Sequence, residues 1–198
     1  MTLPNHETTT FTNHSTFYAI AHRNYIEVQR LKAEHDKYQS DLKDKEITNA
    51  DVDFLAEKNA AIQRHAMVVV IFSALTLEAF INHYAIENFS KSYLNNYLDK
   101  LDPVSKWIVI PKLVLGQTLD TDGQPFELLQ RLFSLRNTLV HYKTRIKRID
   151  EIQDNDWIRE DEAEEAIQAV WKVVGELSNL DDSQAIDWLK EAETNPYA

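Results

Sequence analysis

The chain contains no cysteine. That excludes disulfides, thiolate metal sites and a cysteine nucleophile, and it fits a reducing compartment. Glycine is nearly as scarce, three in 198 residues, alongside five prolines. So few breakers predict long helices rather than many short strands. No apolar run reaches the roughly 18 uninterrupted residues of a membrane span. The best candidate, AMVVVIFSALTLEAFI over 66–81, falls short, carries Glu78 and reads as a buried core helix. The opening stretch MTLPNHETTTFTNHS has neither the charged nor the apolar region of a signal peptide, which predicts a cytoplasmic protein with no membrane partner. Residues 1–14 read as a polar tail and 15–198 as one domain. A Gly-rich phosphate loop and a nucleophile elbow are also missing. His65, His83, Asp53 and Glu57 do not fall on one helical face at ligand spacing, so no metal or cofactor is expected.

What is present is apolar bulk and acid. A hydrophobic content of 43% allows a substantial core, and the net charge of −11 argues against coating nucleic acid over the whole surface. The cations are nevertheless concentrated. Between Glu127 and Asp150 there is no carboxylate but six cations, Arg131, Arg136, Lys143, Arg145, Lys147 and Arg148, which leaves 15 basic against 32 acidic residues elsewhere. A solvated helix end would attract some of these through the macrodipole.

Apolar spacing predicts an all-α, up-and-down bundle of about five to six helices. The first runs from about Ser15 to Leu42, with Phe17, Ala21, Val28, Leu31 and Tyr38 on one face. Thr48, Asn49 and Asp51 are cap candidates for a second, which carries Val52, Leu55, Ile62, Ala66, Val69, Ser73, Thr76 and Phe80 and bends near Ser90. Asp102 with Pro103 opens a short helix that Pro111 is expected to kink or end. GQTLDTDGQPF over 116–126 is a loop. The helix after it has a seam of Leu128, Leu132, Leu135, Leu139, Tyr142, Ile146 and Ile149, which puts Asn137, His141, Thr144 and Arg148 on the opposite stripe and Arg136 on a flank beside Leu129, Phe133 and Val140. Helices over about Arg159–Leu177 and Ser183–Ala192 complete the chain.

Arg136 and His141, in RNTLVH, have the spacing R-x4-H with Asn137 after the arginine, and this resembles the signature of the HEPN superfamily (higher eukaryotes and prokaryotes nucleotide-binding). Arg30 and His35 repeat the spacing without the asparagine, among Lys32, Glu34, Asp36 and Lys37, and read as structural. ALTLEAFIN over 74–82 also looks like the early core helix of bacterial members, and the resemblance spans roughly residues 50–178. It implies a helical bundle, usually dimeric, with two motif helices facing across a two-fold axis. Many members are metal-independent endoribonucleases, often toxins or antiphage effectors restrained by an antitoxin or regulatory protein. Others are non-catalytic modules that bind RNA, a nucleotide or a partner protein. Some have R-x4-H-x-Y, whose tyrosine a partner modifies. Here Tyr142 follows His141 directly and Lys143 takes the expected place, so that control is not implied.

The residue types suit the chemistry. Metal-free RNA cleavage needs a base for the 2′-OH proton, an acid for the leaving 5′-oxygen, and positive charge on the phosphorane. Histidine as a residue type serves either proton transfer. With one such group, His141, per chain, a homodimer would supply both. Arg136 is a planar fork for the scissile phosphate, and Asn137 is one turn before His141, in reach of the imidazole or a phosphate oxygen. Lys143, Arg145, Lys147 and Arg148 would hold the RNA backbone without reading sequence. Glu78 requires a partner within its apolar helix, either Arg136, which it would orient, or the backbone.

Overall fold

The computed structural model describes residues 12–141 and 158–194, and every regular element among them is helical. The first two helices, α1 (His14–Asp41) and α2 (Asn49–Asn88), form an antiparallel hairpin. Contacts step evenly along both. The Tyr38 hydroxyl donates to Asp51 at 2.6 Å, Lys58 pairs with Glu34 at 2.6 Å, His65 Nδ1 lies 2.8 Å from Asn24 Oδ1, and Phe17 meets Phe72 edge to face at 5.9 Å. A capping box starts α2: Thr48 Oγ1 accepts from the Asp51 N–H at 3.3 Å, and the Asp51 carboxylate accepts from the Thr48 N–H at 2.8 Å. The Thr48 hydroxyl first, then that of Tyr38, holds the Asp51 carboxyl down at about 2.

Along α2, Ile62, Ala66, Val69, Ser73, Thr76 and Phe80 are buried as their spacing predicts. Val52, expected on the same seam, is 54% exposed. The reason is geometric: α6 (Glu160–Leu180) begins beside Lys32, which pairs with Glu160 at 3.0 Å, so among the described residues no third helix lies against the far end of the hairpin. By length and composition alone α2 could cross a membrane, but half of its most apolar stretch is buried inside the bundle.

The chain breaks after α2. Ser90 caps α3 (Lys91–Tyr93), a single turn that passes into a π-helical turn over Leu94–Leu98. Asp102 caps α4 (Pro103–Leu115), accepting from the Ser105 N–H at 3.1 Å, with Pro103 at the first position as predicted. Pro111 does not end α4. Its ring is buried, the helix runs on to Leu115, and it stops at Gly116, whose φ of 73° is the left-handed conformation of a helix C-terminus.

The remaining helices are α5 (Gln124–Val140), α6, and α7 (Asp187–Thr194). Gln124 meets Lys172 at 2.6 Å and Arg131 meets Glu165 at 3.0 Å, so α5 and α6 are antiparallel. Trp171 donates to the Tyr18 hydroxyl at 2.6 Å, and with the Lys32–Glu160 pair this sets α6 antiparallel to α1. Thus α1 and α5 run one way and α2 and α6 the other, an all-α up-and-down arrangement. It contains seven helices among the described residues, where five to six are predicted, because the short turn of α3 is separate and invisible to apolar periodicity.

A stack of aromatic rings joins the layers. Trp107 of α4 lies on Phe80 of α2 at 6.1 Å, and Phe80 lies on Trp188 of α7 at 5.6 Å, both nearly parallel. His14 packs its ring edge against Phe80 and Trp188, at 5.3 and 4.5 Å. Burial, and then the neighbouring His83, pushes His14 down to about 4. The unfolded chain binds a proton at His14 more readily than the folded one between roughly pH 6.5 and 4. Stability should therefore fall as pH is lowered through that window, by at most ~3 kcal/mol from this group. Thermal melts from pH 7 to 4 check this, and His14→Phe should flatten part of the slope.

Candidate functional site

The residues of RNTLVH occupy the last turn and a half of α5 and its cap. The buried face of α5 is Phe126, Leu129, Leu132 and Phe133, while Leu128, Leu135 and Leu139 are only partly buried at its margin. The core therefore lies closer to the Leu129–Phe133 side than the leucine seam predicts. That rotation turns Arg136, seven positions after Leu129, toward α2. Its Nη2 lies 3.9 Å from Glu78 Oε2, with both side chains about a quarter exposed, and its Nη1 donates to Asn137 Oδ1 at 3.0 Å. Arg136 is thus held at the edge of the α2–α5 contact by one weak ion pair and one hydrogen bond.

Asn137 spends its side-chain oxygen on Arg136, leaving its amide N–H groups without a protein partner among the described residues. In this structure it positions the guanidinium rather than the imidazole. Its backbone carbonyl accepts from the His141 N–H at 2.9 Å, the final bond of the helix. His141 is the cap residue, with φ −104° and ψ 26°, so it stands at the end of α5, and the rest of the predicted seam, Tyr142, Ile146 and Ile149, lies outside the described residues. Its side chain is exposed and has no partner among the described residues. Ser134, Asn137, Thr138 and His141 make an exposed polar stripe that no other described element covers, with Val140 beside it 53% exposed.

The cationic cluster divides. Arg131 is tied to α6 by Glu165 at 3.0 Å and Glu162 at 3.9 Å, so it braces the bundle. Lys143, Arg145, Lys147 and Arg148, with Tyr142 and Thr144, lie outside the described residues. The second R-x4-H copy is occupied. Arg30 pairs with Glu27 at 2.9 Å and also with Glu34, and His35 Nδ1 lies 3.2 Å from Asp36. Among the described residues no three His, Asp or Glu side chains are grouped as metal ligands.

The loose geometry of the Arg136–Glu78 pair predicts its energetic weight. Arg136→Ala should lower stability by less than about 1 kcal/mol, as expected for a partly solvated ion pair. A guanidinium that the bundle needed as a buried brace would cost about 3–5 kcal/mol when removed. Thermal or urea unfolding of Arg136→Ala and Glu78→Gln separates the two.

No protein-family model, no curated protein and no solved structure matches this chain. The resemblance to HEPN proteins therefore rests on the sequence segments RNTLVH and ALTLEAFIN alone.

Proposed function

We propose that the chain is a cytoplasmic, metal-independent endoribonuclease of a toxin or antiphage-defence system, acting as a homodimer with Arg136, Asn137 and His141 of both copies around one scissile phosphate. The observation that carries this reading is the stripe at the end of α5, which no other described element covers. His141 is exposed and has no partner among the described residues, and it lies in the same last turn and a half as Arg136, whose guanidinium is oriented by Asn137. One His141 takes the 2′-OH proton, and the oxygen attacks phosphorus. The other His141 protonates the departing 5′-oxygen, leaving a 2′,3′-cyclic phosphate and a 5′-OH. Arg136 stabilises the charge that builds on the phosphoryl oxygens. The four cations after Tyr142 hold the flanking backbone, and an antitoxin or regulatory protein restrains the activity by covering the same face.

The test is incubation of purified protein with labelled single-stranded RNA and tRNA in EDTA. Cleavage with cyclic-phosphate ends supports the reading. Intact RNA in the presence of a folded dimer rejects it.

The Glu78 carboxylate beside Arg136 favours a second reading, because it offsets charge that a catalytic arginine would aim at phosphate. In that reading the chain is a non-catalytic binding or assembly module, holding RNA, a nucleotide or a partner protein on this face. Expression in a host tells the two apart: a nuclease slows growth and His141→Ala relieves it, whereas a module leaves growth equal for both.

A further inference from the structure

Lys106, in the first turns of α4, is only 5% exposed. A buried ammonium is normally matched by a carboxylate. Here, among the described residues, its Nζ donates to the side-chain oxygen of Asn82 at 2.9 Å and has no acidic partner. One neutral acceptor leaves the charge uncompensated and two of three N–H donors unused.

Lys106 and its partner Asn82 both line a cleft of about 560 Å³ between the end of α2, the π-helical turn and α4, within the range of roughly 300–1,000 Å³ typical of small-molecule sites. Its walls are apolar, from Ile86, Phe89, Leu94, Leu98 and Ile110. The two other charges on it, Lys91 and Asp99, are exposed and opposite in sign, so Lys106 sets the sign of the interior. The π-helical turn is part of the wall. Its wide bond, from the Asp99 N–H to the Leu94 carbonyl at 2.9 Å, brings Leu94, Asn95 and Leu98 all to the cleft, and such turns recur at functional sites. Phe89, Tyr93 and Tyr97 follow one another as a ladder of rings, 5.2 and 5.1 Å apart, with Tyr97 66% exposed.

We propose that this cleft binds a small organic monoanion, a carboxylate carried on an aliphatic or aryl body, with the carboxylate on Lys106 and the body against the apolar walls. One ammonium supplies a single charge, and the Asn82 amide N–H groups remain for a second carboxylate oxygen. A phosphate dianion is instead met by guanidinium forks or clusters of backbone N–H groups, and the described lining of the cleft includes neither. The site is separate from the stripe on α5 and does not depend on the nuclease reading.

The test is isothermal titration calorimetry of the full chain with decanoate, decylamine and inorganic phosphate. Decanoate should bind saturably at one per chain, and decylamine and phosphate should not. Lys106→Met keeps the aliphatic stem and removes the charge. It should weaken decanoate at least tenfold, and the unliganded variant should melt no lower than the parent, since an uncompensated buried charge is gone. Ile86→Glu places a carboxylate at a position 51% exposed on the rim, and should weaken decanoate comparably without touching the core. Absence of saturable decanoate binding, equal binding of decylamine, competition by phosphate alone, or decanoate binding indifferent to both substitutions would each overturn the proposal. If Lys106→Met does not fold, the Ile86→Glu titration decides.

Discussion

His141→Ala should slow RNA cleavage by roughly 10²–10⁴-fold, the range lost with a positioned acid–base group, while changing stability by less than about 0.5 kcal/mol, as at an exposed site without partners. The separation of the two effects follows from placement. His141 caps α5 with its backbone, through the bond to the Asn137 carbonyl, and that bond survives alanine. Its side chain contributes no described contact whose loss would loosen the fold. The composite mechanism makes a sharper statement about mixed dimers. If base and acid come from different copies, a dimer of one wild-type chain and one His141→Ala chain has lost one of two groups that act together. It should be nearly as slow as the double variant, because such groups are far from additive. If each copy carries a complete site, the mixed dimer keeps about half of the wild-type rate. Co-purified, differently tagged chains assayed by cyclic-phosphate formation distinguish these outcomes.

Much of the scaffold is written in local signals. The box at Thr48 and Asp51, and the Asp102–Pro103 start of α4, appear where cap chemistry puts them, because each depends on residues within one turn. Tertiary terms moved the rest. The leucines of α5 recur so regularly that they read as the buried seam, yet of them only Leu132 is fully buried among the described residues, beside Phe126, Leu129 and Phe133, while Leu128, Leu135 and Leu139 sit at the margin of the core. The same regularity carries on through Tyr142, Ile146 and Ile149, outside the described residues, while His141 itself caps α5 in a non-helical conformation. Periodicity records which residues are apolar and is blind to a single cap residue. The pairing of Arg136 with Glu78 was legible because a carboxylate inside an apolar helix demands a partner. Lys106 was not, since a lysine among Val104, Trp107 and Ile110 looks the same in sequence whether it extends to solvent or folds inward to Asn82.

Trp107→Ala should be the most damaging single substitution described for the fold, costing about 3–5 kcal/mol. The ring is fully buried and begins the stack that passes through Phe80 to Trp188, so its removal opens a void at the junction of α4, α2 and α7. A void there is hard to refill. Phe80 is held from the far side by Trp188 and from its edge by His14, and neither can follow it toward α4 without leaving α7 or α1. Trp107→Phe makes a useful contrast. The indole N–H has no hydrogen-bond partner among the described residues, so phenylalanine keeps a ring on Phe80 while deleting a buried, unsatisfied donor. The two effects oppose each other, and the net cost should stay below roughly 1.5 kcal/mol. Urea unfolding of the two variants reads the difference directly. Amide exchange should report the alanine change along α4 and α7 together, because the stack makes their docking one event. If α7 kept its protection while α4 lost it, the rings would be neighbours without being coupled.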